Sequence, residues 1–220
     1  MIKRGITLGG YNTAAQGWTL TGWQLSPATQ KTNFISKSGG DGSWDLSTAM
    51  TEGIPRYEDR TLTATFECSE GDRAFREAKI KSMVNQLDGM RVNISLPDDT
   101  DHYLSGRLHV ARNYSDLAHA SVTVTAICEP WLYSNDETKV TLTASTTPQT
   151  ATIVNNGRRA VVPVVEVVNA GVIVEFNGAS TALALGTQRQ PNLLLTPGTH
   201  TLGYMGAGTM TLTYREAVLE

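Results

Sequence analysis

The sequence predicts a mainly β protein of two units with a single helix, and three observations carry that reading. Apolar residues come in short runs that alternate with polar ones, the period-2 pattern of half-buried strands. One segment, residues 72–87, lacks Gly and Pro and spaces its apolar residues at helical intervals. A polar stretch with neither periodicity, Ser134-Asn135-Asp136-Glu137-Thr138, divides the chain into units 1–133 and 134–220.

In chain order, Gly39-Gly40-Asp41-Gly42-Ser43 ahead of Trp44 can only be a flexible or tightly turning loop. Leu62, Ala64 and Phe66 mark a strand with one inward face, and Val92, Ile94 and Leu96 mark another, as do Val122, Val124 and Ala126. Between the first two, Ile80, Met83, Val84 and Leu87 fall at i, i+3, i+4 and i+7, the stripe of an amphipathic helix. Ser69 with Asp72 three residues on offers an N-terminal capping pair, and Gly89 stands where a helix C-cap places a left-handed residue. The second unit reads as β throughout, with Asn156-Gly157, Asn177-Gly178 and Pro197-Gly198 as turns and Met210, Leu212 and Tyr214 as a late strand. Asn177-Gly178 is the strongest hairpin signal, because a two-residue type I′ turn needs positive φ at both positions. A small antiparallel sandwich is the expected result.

Composition removes several function classes. With 18 Lys and Arg against 21 Asp and Glu, and a formal charge of −3, no cationic surplus awaits a phosphate backbone, so specific nucleic-acid binding is not expected. Lys3 and Arg4 precede Gly9, Gly10, Asn12 and Thr13 rather than an apolar signal core, and no apolar run reaches the roughly 20 residues of a membrane span, so neither secretion nor membrane insertion is expected. Cys68 and Cys128 lie far apart with no Cys or His at metal-ligand spacing; both read as buried thiols.

The search for chemistry returns no catalytic, cofactor-binding or metal residues. His102, His109, His119 and His200 stand in no motif that pairs a base with a nucleophile. Asp98, Asp99 and Asp101 lack the spacing of a calcium loop and read as a solvated turn. Gly203, Gly206 and Gly208 fit no phosphate-loop fingerprint and read as a β turn. Trp18, Trp23, Trp44 and Trp131, all in the first unit, either fill its core or anchor an interface, with core filling the default expectation. No enzyme activity is expected.

The order of several short motifs is more specific than any one of them. Gly42-Ser43-Trp44-Asp45-Leu46 is followed by Tyr57-Glu58-Asp59-Arg60 running into a strand, then by the lone helix closed by Leu87-Asp88-Gly89. Asp101-His102-Tyr103-Leu104-Ser105-Gly106-Arg107-Leu108 and Cys128-Glu129-Pro130-Trp131 come next. In the second unit stand Val154-Asn155-Asn156-Gly157-Arg158, Asn177-Gly178, Leu193-Leu194-Leu195-Thr196-Pro197-Gly198 and Tyr214-Arg215-Glu216. This series resembles the siphophage distal tail protein (Dit) family over nearly the whole chain.

The resemblance implies an N-terminal tail-tube-like β barrel with one flanking helix (1–133, the ring-forming belt) and a C-terminal galectin-like β sandwich (134–220). It implies a virion structural protein, assembled in the host cytoplasm, six copies of which form a ring joining the tail tube to the tail tip or baseplate. The implied partners are the tail tube protein, the tail-associated hub protein, the tape measure and receptor-binding proteins. Ring closure would remove exposed strand edges, and the loop from Gly39 to Trp44 is expected to take part in it. The alternative function is a carbohydrate-binding module for host-surface adhesion, weakened by a second unit without Trp and with only Tyr204 and Tyr214.

Overall fold

A computed structural model describes residues 5–116 and 118–220; Lys3 and Arg4, the N-terminal cations of the sequence reading, lie outside the described residues. The chain divides into two compact units, Met1–Leu132 and Tyr133–Glu220.

The first unit contains β1 (Thr7–Leu8), β2 (Tyr11–Asn12), β3 (Thr19–Leu25), β4 (Phe34–Ser36), β5 (Ser43–Asp45), β6 (Arg60–Cys68), helix α1 (Arg73–Leu87), β7 (Arg91–Ser95), β8 (His102–Ser115) and β9 (Ala120–Ser134). Seven of these strands form one curled sheet in the order β2-β1-β7-β8-β9-β6-β3, and β4 and β5 make a separate two-stranded ribbon. The order is linear: β2 and β3 end the sheet and do not pair with each other, so the chain forms a half-barrel where the resemblance implied a barrel. The middle of the sheet is set by side-chain alternation, since Leu62, Ala64 and Phe66 on β6 lie opposite Ala126, Val124 and Val122 on β9, and all six are buried. A one-residue slip would turn this whole set to solvent, which is what fixes the register.

Helix α1 packs against β8. Its N-cap is Asp72, whose carboxylate accepts from Phe75 N at 2.8 Å; the expected cap at Ser69 is one turn too early. Gly89 follows the last turn with φ of +76°, as expected of a residue beyond the C-cap. The inward stripe is Arg76, Ile80, Met83 and Leu87, so a guanidinium occupies a position that periodicity assigns to a hydrophobe. Arg76 is held there by carbonyls, donating to Gly71 O at 2.6 Å and to Asp116 O at 3.2 Å. It ties the turn before the helix to the β8–β9 connection.

The second unit adds β10 (Thr138–Thr143), β11 (Gln149–Asn155), β12 (Val164–Val168), β13 (Val172–Phe176), β14 (Ala179–Leu183), β15 (Gly186–Arg189), β16 (Gly198–Gly206), β17 (Thr209–Tyr214) and β18 (Ala217–Val218). Two four-stranded antiparallel sheets, β10-β17-β12-β15 and β11-β16-β13-β14, enclose a core that includes Ile153, Val165, Val167, Val174, Phe176, Leu202, Met210 and Leu212. The polar segment expected as a linker at 134–138 shrinks to the three residues 135–137, because β9 runs through Ser134 and β10 begins at Thr138.

Asn177 (φ +50°) and Gly178 (φ +78°) join β13 to β14, with Phe176 paired to Ala179, the two-residue hairpin read from the sequence. Asn156-Gly157 is not a hairpin of this kind. Asn155 is buried and donates its amide to Arg159 O and Leu195 O while accepting from Gly157 N. Gly157 is small for another reason: a Cβ there would lie 2.8 Å from the backbone N and O of Ala217.

Candidate functional site

An exposed apolar feature of the first unit is the ribbon β4–β5 and the segment after it. Asn33 and Leu46 close its base, Leu46 N donating to Asn33 O at 2.8 Å, and Ser47 Oγ caps Asn33 N at 2.9 Å. At the tip, Gly39 and Gly42 both take positive φ, which explains the glycine-rich composition of this loop. Asp45 accepts from Ser47 N, and the two hydrogen bonds from Ser47 hold its carboxyl below the ordinary carboxylate range.

Short ribbons normally turn at least one face to a core. This one leaves both open. Ile35 pairs with Trp44 across the ribbon and so shares its face, while Phe34 stands on the other. Phe34 is 60% exposed, Trp44 58% and Met50 96%, with Ile35 and Leu46 also exposed. Trp44 is therefore no core residue, against the sequence expectation, and Trp23 on the sheet-ending strand β3 is at the margin of exposure. Trp18 does fill the core, its Nε1–H donating to Tyr11 Oη at 3.2 Å, and Trp131 meets Tyr57 edge-on at 5.2 Å. Exposed aromatic and aliphatic side chains gathered on one small element are of the kind found where protein surfaces meet.

The sheet supplies a second feature of the same kind. Among the described residues strand β3 pairs with β6 on one side only, with a bulge between Leu20 and Gly22 bridged by Thr21 Oγ1 donating to Thr65 O. Among the described residues strand β2 pairs only with β1. Backbone groups on such edges can continue a ladder with another chain.

The remaining candidates are dispersed. His102 Nδ1 lies 3.1 Å from the Asp99 carboxylate, which is held below its ordinary range despite partial burial by hydrogen bonds from His102 and from the backbone of Asp101. This is a self-capped turn, with Asp101 N donating to Asp99 Oδ1. His109 Nδ1 pairs with Asp88 at 2.9 Å, His119 N donates to Asp116, and His200 Nε2 lies 2.7 Å from Thr196 O. No two of the four share a site.

Cys68 and Cys128 are free and buried at opposite ends of the β6–β9 pair, where Arg60 is opposite Cys128 and Ala120 is opposite Cys68. Burial pushes the Cys128 thiol up to about 11. Among the described residues no group of three or more His, Cys, Asp and Glu is placed to hold a metal ion, and no helix is long and apolar enough to cross a membrane. Gly203 lies within β16, Gly206 ends it, and Gly208 lies in the turn to β17, so the three glycines do not form one phosphate-binding loop.

The second unit offers no exposed aromatic platform for a sugar. Tyr214 is buried with its hydroxyl donating to Val154 O at 2.5 Å, and Tyr204 packs half-buried against the core.

No protein-family model and no curated protein sequence matches the chain. Its fold does match a solved structure. The chain is similar to the SPP1 Dit (gp 19.1) protein, described as a paradigm of the hub adsorption apparatus in phages infecting Gram-positive bacteria. The TM-score is 0.70 over 96% of this chain and 98% of that one, at 14% identity. The likeness is one of fold, and it embraces both units.

Proposed function

We propose that this chain is a distal tail protein, a structural, non-enzymatic virion component of a phage tail. Six copies close into a ring that joins the tail tube to the tail tip or baseplate. The observation that carries the reading is the Dit fold over 96% of the chain, in a sequence whose motif order independently resembles that family. The half-barrel with two open edges and the doubly exposed ribbon β4–β5 give it a physical mechanism. Each copy lends its apolar ribbon and a strand edge to its neighbour, and ring closure leaves no edge exposed.

In this reading the first unit is the belt, facing the tail tube protein on one side and the tail-associated hub protein on the other, near the end of the tape measure. The second unit is the galectin-like sandwich, projecting outward to hold receptor-binding components. Antibody against the chain, imaged by electron microscopy on intact virions of the phage that carries it, is expected to decorate the distal end of the tail. Decoration of the capsid or along the tail shaft would overturn the assignment.

A further inference from the structure

The sheet β11-β16-β13-β14 carries a built feature that a ring-and-scaffold role does not use. Register places Thr150 opposite Gly203, Gly203 opposite Glu175, and Glu175 opposite Ser180, so these four residues form one row across all four strands. The row lies on the outer face, because the alternate residues Val172, Val174 and Phe176 are buried in the core. Gly203 has no side chain, and the row dips there. The dip is a cavity of about 170 Å³ whose lining includes Thr150, Ile173, Glu175, Ser180, Gly203 and Met205.

Three properties define the guest. First, the size is below the roughly 300 Å³ of pockets for small organic ligands, so the cavity takes one side chain rather than a whole metabolite. Second, Glu175 is the only acidic or basic side chain on the four strands apart from His200, whose ring lies 5.6 Å from Phe176 of the core. It has no ion-pair partner among the described residues. A single carboxylate centred on an uncharged face is complementary to one cation. Third, the other polar side chains of the row also accept, through the hydroxyl oxygens of Thr150 and Ser180. Ile173 and Met205, paired across strands and each about 40% exposed, form an apolar wall beside them.

We propose that this dip is a socket for one arginine side chain of a partner protein. The guanidinium supplies five donors in a planar fork that matches a carboxylate, and its weak hydration suits the apolar wall that would also pack its methylene stem. Lysine, a compact and strongly hydrated charge, fits less well. Gly203 keeps the floor open: a Cβ there would stand 3.3 Å from the Cβ of Glu175 and push the carboxylate aside. The inference does not rest on the ring, since every residue of the socket belongs to the second unit.

The test uses the full-length chain with labelled isoleucine and methionine methyl groups, which report in assemblies as well as monomers. Acetyl-arginine methylamide is expected to shift the Ile173 and Met205 signals, with a weaker response to the lysine analogue and least to the uncharged isostere, acetyl-citrulline methylamide. E175Q is expected to weaken arginine binding about tenfold, to the citrulline level. G203A is expected to act in the same direction with the protein still folded. Equal responses to arginine and citrulline, unchanged binding in E175Q, or no response well above millimolar ligand would overturn the proposal. So would a response to methyl hexosides in place of arginine, which would make the dip a glycan subsite.

Discussion

Replacing Phe34 and Trp44 together by serine removes one large ring from each face of the β4–β5 ribbon. The side chains are 60% and 58% exposed in the isolated chain. With aromatic side chains presenting about 150–250 Å² each, roughly 250 Å² of ring surface stands open on the pair. Covering all of it would contribute about 6 kcal/mol per subunit contact at ~25 cal/mol per Å². Association realises only part of such an area term, because ordering and imperfect desolvation oppose it. Even one third of it, about 2 kcal/mol, weakens each contact roughly thirtyfold. The fold should hardly notice, since neither ring belongs to the buried core and surface substitutions of this kind stay within about 0.5 kcal/mol. Sedimentation velocity on wild type and F34S/W44S, paired with thermal unfolding, measures both quantities. The expected outcome is an unchanged melting temperature with the self-association curve moved to higher concentration. An unchanged association curve refutes the role assigned to the ribbon, and a large drop in melting temperature refutes the claim that these rings are surplus to the monomer.

Other consequences are simpler to check. Asn155→Ala leaves Gly157 N, Arg159 O and Leu195 O without the amide that joins them, and should cost about 2–3 kcal/mol in denaturant unfolding, well beyond an ordinary surface change. Asp88 and Asp116 have carboxyls held below the usual range, chiefly by backbone N–H donors of Val110 and of His119 and Ala118 respectively. Their folded pKa values lie under the unfolded ones, so their contribution is present above the unfolded pKa near 4 and is lost as pH falls through the folded values. Acid unfolding of Asp88→Asn should accordingly show a shallower loss of stability below about pH 4 than wild type. Cys68 and Cys128 sit eight residues apart along paired strands, about 26 Å at ~3.3 Å per residue, far beyond disulfide reach. Oxidant treatment of the folded chain should leave its intact mass without an intramolecular disulfide, and alkylation of Cys128 should require unfolding.

Much of this architecture was legible in the sequence because the signals were local. The alternation at Leu62, Ala64 and Phe66 fixes a strand face wherever one side is buried, and Asn177-Gly178 meets a backbone demand that few other dipeptides satisfy. Misreadings arose where one residue type serves two physical needs. Asn156-Gly157 does lie at a bend after β11, yet without the positive φ expected of its glycine, which instead answers a close approach by Ala217, a contact 60 residues away that no local pattern encodes. Asp72 and Ser69 are both good caps, and only the position of the first helical turn chooses between them. Arg76 falls on the inner stripe because two distant carbonyls receive it there.

The site was less legible than the fold. Aromatic residues fill cores more often than they project, so a core is the default expectation for Trp44, and only its place on a ribbon open on both faces shows otherwise. The row of Thr150, Gly203, Glu175 and Ser180 gathers residues from four strands. No spacing in the chain predicts it, although an isolated glycine amid a strand pattern was a usable signal of close approach.

Multi-angle light scattering across a concentration series gives the solution mass of the purified chain, and with it the closure of the ring. A closed ring of six gives a mass of six chains, or a monomer that shifts toward six as concentration rises. A mass of one chain that stays fixed at every concentration, or saturation at a dimer, would contradict it.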